Sequence, residues 1–380
     1  MPSRLLATLP DYFAELEDPR IDRCKQHELS AMLTIAICAV ICGADSYSDM
    51  EQFGKAKQEW FGTFLNLPNG IPSHDTFSRV LSVLDPEALS ACFASWVEAI
   101  ATVSQGEIIA VDGKTLRRSF DQASGKGPIH MVSAWATTNG LSLGQVKTSE
   151  KSNEITAIPK LLELLSLEGT IVTIDAMGCQ KDIAKKIIDQ RADYVLALKG
   201  NQGTLHDDVK LYLDDALKHG FGRVPCACAT TVDGDHGRIE RRRIWCCGEI
   251  AWLATCHVWP GLQSIGVVES EVTNKRSGKT HTERRYFISS LDGRDAELFG
   301  KAVRRHWEIE NGLHWILDVA FREDESRVRI GNGAENCALL RRMALSLLKR
   351  EATLKRGVKG KRLAAGWNNT YLLNVLGIRS

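Results

Sequence analysis

Residues 106–113 read GEIIAVDG, and residues 169–175 read GTIVTID. Each is a short run of apolar, largely β-branched residues that opens after a glycine and closes on an aspartate. Runs of this length without a polar face read as buried strands rather than helices. The expected strands are Ile108 to Val111 and Thr170 to Ile174, which end in Asp112 and Asp175. Between them, Met131 to Thr138 and Leu141 to Thr148 flank Asn139-Gly140, a strong short hairpin signal. Asn153 and Glu154 open an amphipathic helix through Leu165. Beyond Asp175 come a helix from Gln180 to Arg191, a strand from Tyr194 to Leu198, and a helix from Gln202 to Leu217.

The order strand, hairpin, helix, strand, helix, strand, helix predicts an α/β fold with a ribonuclease-H-like core. In that arrangement antiparallel strands come first, and parallel strands with helices on the sheet faces follow. Asp112 and Asp175 then sit at the carboxyl ends of strands, where open α/β sheets bind ligands. Paired acids there suit two divalent ions about 3.5–4 Å apart in phosphoryl transfer. Two carboxylates are too few to hold both ions, so a third should come from elsewhere in the chain.

Outward from this core, residues 1–103 read as helical, 104–217 as the first part of the core, 218–290 as a β-rich insertion, and 291–380 as the rest of the core with a basic tail. Ser30 is the expected cap of the apolar run Ala31 to Cys42. Asp49 to Leu65 mixes aromatic and charged residues at helical spacing, and Pro68, Asn69, Gly70 and Pro72 break it. Ser73 caps a helix from Asp75 to Leu84. A turn followed by a short capped helix with His74, Asp75, Thr76, Ser78 and Arg79 resembles the second half of a helix-turn-helix. In the insertion, Arg238 to Cys246, Ser264 to Val272 and Arg284 to Ser289 read as strands forming an inserted sheet. Asp295 to Phe321 and Ala338 to Ala352 read as helices.

Composition sets the class. The chain has 380 residues, 44% hydrophobic and 25% charged, with a net charge of +1, so global charge announces no polyanionic partner. From Arg341 onward, ten Lys or Arg face one acid, Glu351. Such a tail suits either phosphates or solvent. The run Ala31 to Cys42 is too short to span a bilayer, and no signal-peptide pattern follows Met1, so a cytoplasmic protein without a membrane partner is expected. The eleven cysteines are scattered. Cys226/Cys228 and Cys246/Cys247 lack the usual zinc spacing, Cys38 and Cys42 at i, i+4 in the apolar run read as buried thiols, and a reducing compartment fits all of this.

The third acid is sought in Asp295 to Phe321. At about 100° per residue, His306, Glu310, His314 and Asp318 share one face, with Asp318 already about 80° round from Glu310. Ile309, Leu313, Ile316 and Ala320 form the adjacent apolar face. Glu310 can therefore face the strand ends. A polar outer stripe is the plain alternative, and zinc on His306, Glu310 and His314 is another. Zinc there leaves the two strand-end aspartates unexplained.

Several long stretches carry a resemblance: IIAVDGKTLRRS, VTIDAMGCQKDIA, ADYVLALKGNQ and HWEIENGLHWILDVAFRED, in that order. With DPRIDRCKQHELSAML and GIPSHDTFSRVL before them and DHGRIERRR within the insertion, the chain resembles bacterial insertion-sequence transposases of the DDE type. The branch is the one with a helical transposase-associated N-terminal domain, the H-repeat-associated type. The resemblance implies metal-dependent DNA cleavage and strand transfer. It places the catalytic and metal-binding acids on Asp112, Asp175 and Glu310, which are 63 and 135 residues apart. It implies Mg²⁺ or Mn²⁺, two ions, and double-stranded DNA as partner, both the element's terminal repeats and the target, bound by a homodimer. One departure stands out. Where better-studied relatives carry Tyr, Arg and Lys around the Glu, this chain has Val303, His306 and Leu317.

Supporting DNA contacts are expected from Lys114, Arg117 and Arg118 after the first Asp, and from Lys199, Asn201 and Gln202 at a strand-to-helix turn. Arg305, His306 and His314 are further candidates. Trp307 and Trp315 suit base stacking or core packing, and Met177 and Cys179 packing only. Two rival functions share the fold: a nuclease that cuts without joining, and a DNA-binding relic without catalysis.

Overall fold

The computed structural model describes residues 9–100, 105–120, 127–148, 154–222, 224–235 and 237–378. The chain divides into two compact units. One comprises residues 1–102, 113–153 and 310–380, the other 103–112 and 154–309. The chain passes between them inside two continuous elements, at Asp112–Gly113 and at Ile309–Glu310.

The second unit is α/β. Strand β1 spans Ile108–Thr115, and its first half belongs here. After the hairpin strands β2 (His130–Ala136) and β3 (Leu141–Thr148) come β4 (Ile171–Ile174) and β5 (Asp193–Leu198). β1 pairs parallel with β4, and β4 parallel with β5. The helices Glu154–Glu163, Lys181–Asp189 and Thr204–Lys218 alternate with these strands. Four further strands follow: β6 (Ala227–Asp235), β7 (Arg238–Cys247), β8 (Ser264–Asn274) and β9 (Thr280–Ser289). The order across this unit is β1-β4-β5-β9-β8-β7-β6. β9 pairs antiparallel with β5, so the β-rich region extends the core sheet and does not build a separate one.

One face of this sheet is covered by the helix Ala296–His306. Its Phe299 and Ala302 pack with Ile108, Ile171, Val195, Ile244 and Phe287, all buried. Asp295 caps the helix by accepting the Leu298 amide at 2.8 Å. Gly266 in β8 lies under Phe299; a β-carbon there would stand 2.5 Å from the ring, which explains a glycine inside a strand. Cys226 and Cys247 form a disulfide across β6 and β7. This bond departs from the reducing compartment that the scattered cysteines suggest, while Cys38 is a buried thiol. Ala227 opposes Cys246 in the antiparallel register, so the flanking cysteines meet. β6 and the short helix Ala251–Cys256 carry no clear strand or helix pattern in sequence.

The first unit is mainly helical. Its centre is the helix Leu29–Cys42, nearly all of whose residues are buried. Glu28, not Ser30, occupies the N-cap, because Ser30 already lies inside the helix and its carbonyl accepts from Thr34. Tyr47–Ala56 begins with a capping box between Ser46 and Asp49. Ser73 caps His74–Val83 as expected. The helix Gly333–Arg350 is buried along almost its whole length. Its Asn336 donates to the carbonyls of Leu81 and Leu84, both at 2.9 Å. Among the described residues no single helix is long and apolar enough to cross a membrane.

The unit also holds β2, β3 and the end of β1, in the order β3-β2-β1. Strand β2 ends at Ala136, so Thr137–Gly140 makes a four-residue connection with Gly140 at φ +63°. The basic C-terminal stretch is folded, forming the helices Val358–Trp367 and Asn369–Leu376. Arg341, Arg342, Lys361 and Arg362 are buried. Lys361 donates to the Leu348 and Glu351 carbonyls, and Arg362 to those of Val40 and Ile41. Lys361 and Arg362 thus close helix ends that would otherwise leave carbonyls unsatisfied, and they are not available to lie on phosphates.

Candidate active site

The β1/β4 register ends at Val111 paired with Ile174. Asp175 follows directly after β4, whereas Asp112 lies within β1, which runs on to Thr115 and does not close on the aspartate as its sequence suggests. Side chains alternate along a strand. Ile108, Ala110 and Asp112 therefore share a face, as do Ile171, Thr173 and Asp175. Ile108 and Ile171 both pack against the helix Ala296–His306, so the face beneath that helix carries both acids. Thr173 confirms the assignment, because its hydroxyl lies 3.2 Å from His306 Nδ1. Both aspartates are half-buried.

The turn after β4 orients Asp175. Its Oδ1 accepts the backbone amides of Met177 at 3.0 Å and Gly178 at 3.3 Å. Asn201 Nδ2 donates to the Ala176 carbonyl at 2.7 Å, and Gln202 Nε2 to the Cys179 carbonyl at 2.6 Å. These two amides, expected to reach DNA, instead brace the loop that carries Asp175. Lys199 remains exposed beside them. Cys179 is buried as expected, but Met177 is exposed and packs no core, because the turn around Asp175 directs it outward.

Gly178 is required by close approach. A β-carbon there would stand 2.3 Å from Ile174 Cγ2 and 2.9 Å from Ile158 Cδ1. Gly178→Ala should cost about 1–3 kcal/mol, the usual penalty for overpacking. Thermal unfolding checks this, and an unchanged midpoint would show that the loop relaxes freely.

In the first unit, Glu310 opens a π-helical turn, Glu310–His314, followed by the helix Trp315–Phe321. π turns of this kind recur at functional sites. The extra residue in the turn shifts the helical frame by about 100°. That shift corrects the expected apolar face: with Ile309 and Leu313, Leu317 and Phe321 are the buried residues, while Ile316 and Ala320 are only half-buried. It also moves Asp318 back under Glu310. His314 is buried, and its Nδ1 lies 3.2 Å from Glu310 Oε2. That contact holds the Glu310 carboxyl below the usual carboxylate range, against the opposing effect of partial burial. Glu310 is therefore an exposed, ionised carboxylate on a tethered turn.

The remaining candidates are spread over both units. Lys114, in the first, is ion-paired with Asp318 and lies 3.4 Å from Glu323. Arg117 is exposed and 3.3 Å from Asp324; Arg118 is exposed. In the second unit, Arg305 lies 3.7 Å from Glu308. Trp307 and Trp315 are both exposed, so core packing is not their role, and the Arg285 guanidinium sits 5.0 Å over the Trp307 ring. Leu317, at the position of the relatives' Lys, is fully buried. In the N-terminal helices, His74 is tied to Glu51, while Thr76, Ser78 and Arg79 line a groove of about 680 Å³ with Arg20, Arg23 and His27.

Comparison with known proteins gives the family. Residues 104–347 match the Transposase DDE domain, and residues 10–97 match the DDE_Tnp_1-associated domain. The chain is 43% identical to "Putative transposase YncI" of Escherichia coli O157:H7, over 98% of this chain and 95% of that protein. It is 38% identical to "H repeat-associated putative transposase YhhI" of Escherichia coli K12, over 98% of both. Among solved structures, a piggyBac transposase synaptic complex with hairpin DNA aligns at TM-score 0.40 and 10% identity, over 97% of this chain and 77% of that one. Family matches spanning the helical region and the α/β core, with relatives 38–43% identical over 98% of the chain, give the conclusion: this chain belongs to the DDE transposase family.

Proposed function

We propose that the protein cuts DNA at the ends of its own insertion sequence and joins those ends to target DNA, using Asp112, Asp175 and Glu310. The observation that supports this reading is the placement of Asp112 and Asp175 one residue past the last parallel pair of β1 and β4, on a single face. The donors suit Mg²⁺ or Mn²⁺, because three carboxylates offer hard oxygen ligands. Bound there, two divalent ions would activate the attacking oxygen and stabilise the leaving one.

The chain's own contribution is to hold the acids ready. The backbone amides of Met177 and Gly178 orient Asp175, and His314 keeps Glu310 ionised. Water attacks the phosphodiester at the element end and releases a 3′-hydroxyl. That hydroxyl attacks a target phosphodiester, with a DNA 3′-oxygen leaving in each displacement, so no covalent protein–DNA intermediate forms. We assign end recognition to the helical N-terminal region, with the groove beside Ser73 to Arg79 as its contact surface. The acting form is a homodimer on DNA.

The test is an assay with a duplex carrying the inverted repeat that flanks the gene, plus plasmid target. Cleavage and joined product, both lost with chelator, are expected. Cleavage without joining would mean a nuclease, and binding without cleavage a relic.

A further inference from the structure

Lys114 lies two residues beyond Asp112 on β1, on the same side of the strand. Its side chain is only 10% exposed and is bound to two acids, Asp318 of the helix Trp315–Phe321 and Glu323 of the 3₁₀ turn that follows. Glu323 is itself fully buried and pairs with the equally buried Arg342 at 2.9 Å. Arg342 Nε reaches Ser133 of β2 at 3.3 Å, and Nη1 reaches the Ala338 carbonyl at 3.0 Å. All of these residues belong to the first unit. They tie β1 and β2 to the segment that continues from Glu310.

A lysine held this way is a poor phosphate ligand, because its ammonium is already committed to two carboxylates. Burying such ions costs several kcal/mol per group before any pairing is counted, and a plain apolar contact would join the same elements more cheaply. An ionic tie fixes direction and distance as well as contact. Transferring phosphoryl groups demands that precision, since about 1 Å of misplacement can cost a hundredfold in rate.

We infer that Lys114 is a positioning residue for DNA cleavage: through Asp318 and Glu323 it sets the end of the strand carrying Asp112 against the helical segment carrying Glu310. The inference rests on the proposed function, and one set of assays separates the two. The wild-type chain is assayed for cleavage of the inverted-repeat duplex, for affinity for that duplex, and for the Mg²⁺ concentration giving half-maximal rate.

Lys114→Met should cleave on the order of a hundredfold more slowly. It should need more Mg²⁺ and bind the duplex as wild type does, while Lys114→Arg regains part of the rate. Asp318→Asn should reproduce the Lys114→Met pattern more mildly, and it decides the matter if Lys114→Met does not fold. Weakened duplex binding with a shallower salt dependence would overturn the inference, because Lys114 would then be a phosphate contact. Unchanged cleavage and Mg²⁺ requirement with only a lowered melting temperature would also overturn it, leaving a purely structural tie. If wild type does not cleave, the proposed function fails and this inference with it. If wild type cleaves and Lys114→Met and Asp318→Asn match it, only this inference fails.

Discussion

Asp112→Ala, Asp175→Ala and Glu310→Ala should each cut at the element end at least about a thousandfold more slowly than wild type, a loss of roughly 4 kcal/mol in transition-state stabilisation. Each change leaves too few carboxylates for the metal pair, so the rate should collapse while folding and end binding persist. None of the three is a core packing residue: Asp112 and Asp175 are half-buried and Glu310 is exposed. DNA affinity comes largely from Lys and Arg on phosphates, so each variant should bind the inverted-repeat duplex within a few-fold of wild type. Cleavage by Glu310→Ala at the wild-type rate, with Asp318→Ala dead, would move the third ligand two turns along. Asp318→Ala should cost activity through the loss of its hold on Lys114, and cost less than Glu310→Ala.

Arg342→Met should be the most destabilising single change in the first unit. It leaves Glu323 buried without its main partner, and breaking a buried pair in this way costs about 3–5 kcal/mol. A fall in the thermal midpoint on the order of 10 °C follows. The effect should depend on pH. Burial alone would raise the Glu323 pKa, but Arg342, Lys114 and Arg341 outweigh it and hold the carboxyl down at about 2. In the unfolded chain a glutamate titrates near ~4.3. The folded pKa is therefore depressed, and the stability it contributes is complete above ~4.3 and is lost as pH falls toward 2. Without Arg342 that contribution shrinks or reverses, so the gap between wild type and Arg342→Met should narrow as the solution is acidified through this window. A gap constant between pH 6 and 3 would mean that Glu323 is not held ionised by this pair.

The strand ends were legible because β-branched runs closing on Asp have few other readings, and two of them at Asp112 and Asp175 implied a sheet and a site together. The resemblance in HWEIENGLHW then gave Glu310 more weight than helical periodicity alone. Other features left no mark in the pattern. β6 is polar and reads as loop, and only its pairing with β7 makes it a strand. The π turn is invisible at one fixed angle per residue, so the buried face was assigned to Ile316 and Ala320 where Leu317 and Phe321 occupy it. The basic C-terminal residues suit phosphates or solvent equally in sequence, because charge alone does not reveal burial. Lys361 and Arg362 are internal caps. The place of Asn201 and Gln202 at a strand-to-helix turn does not by itself distinguish a DNA contact from a brace on the Asp175 loop.

The most direct test of the central claim is the position of bound metal. Crystals of the protein with its inverted-repeat duplex, soaked with Mn²⁺ and recorded at the manganese edge, should show anomalous peaks coordinated by Asp112, Asp175 and Glu310. Manganese bound elsewhere, or absent from Asp112 and Asp175 in a complex that cleaves when warmed, would contradict the account.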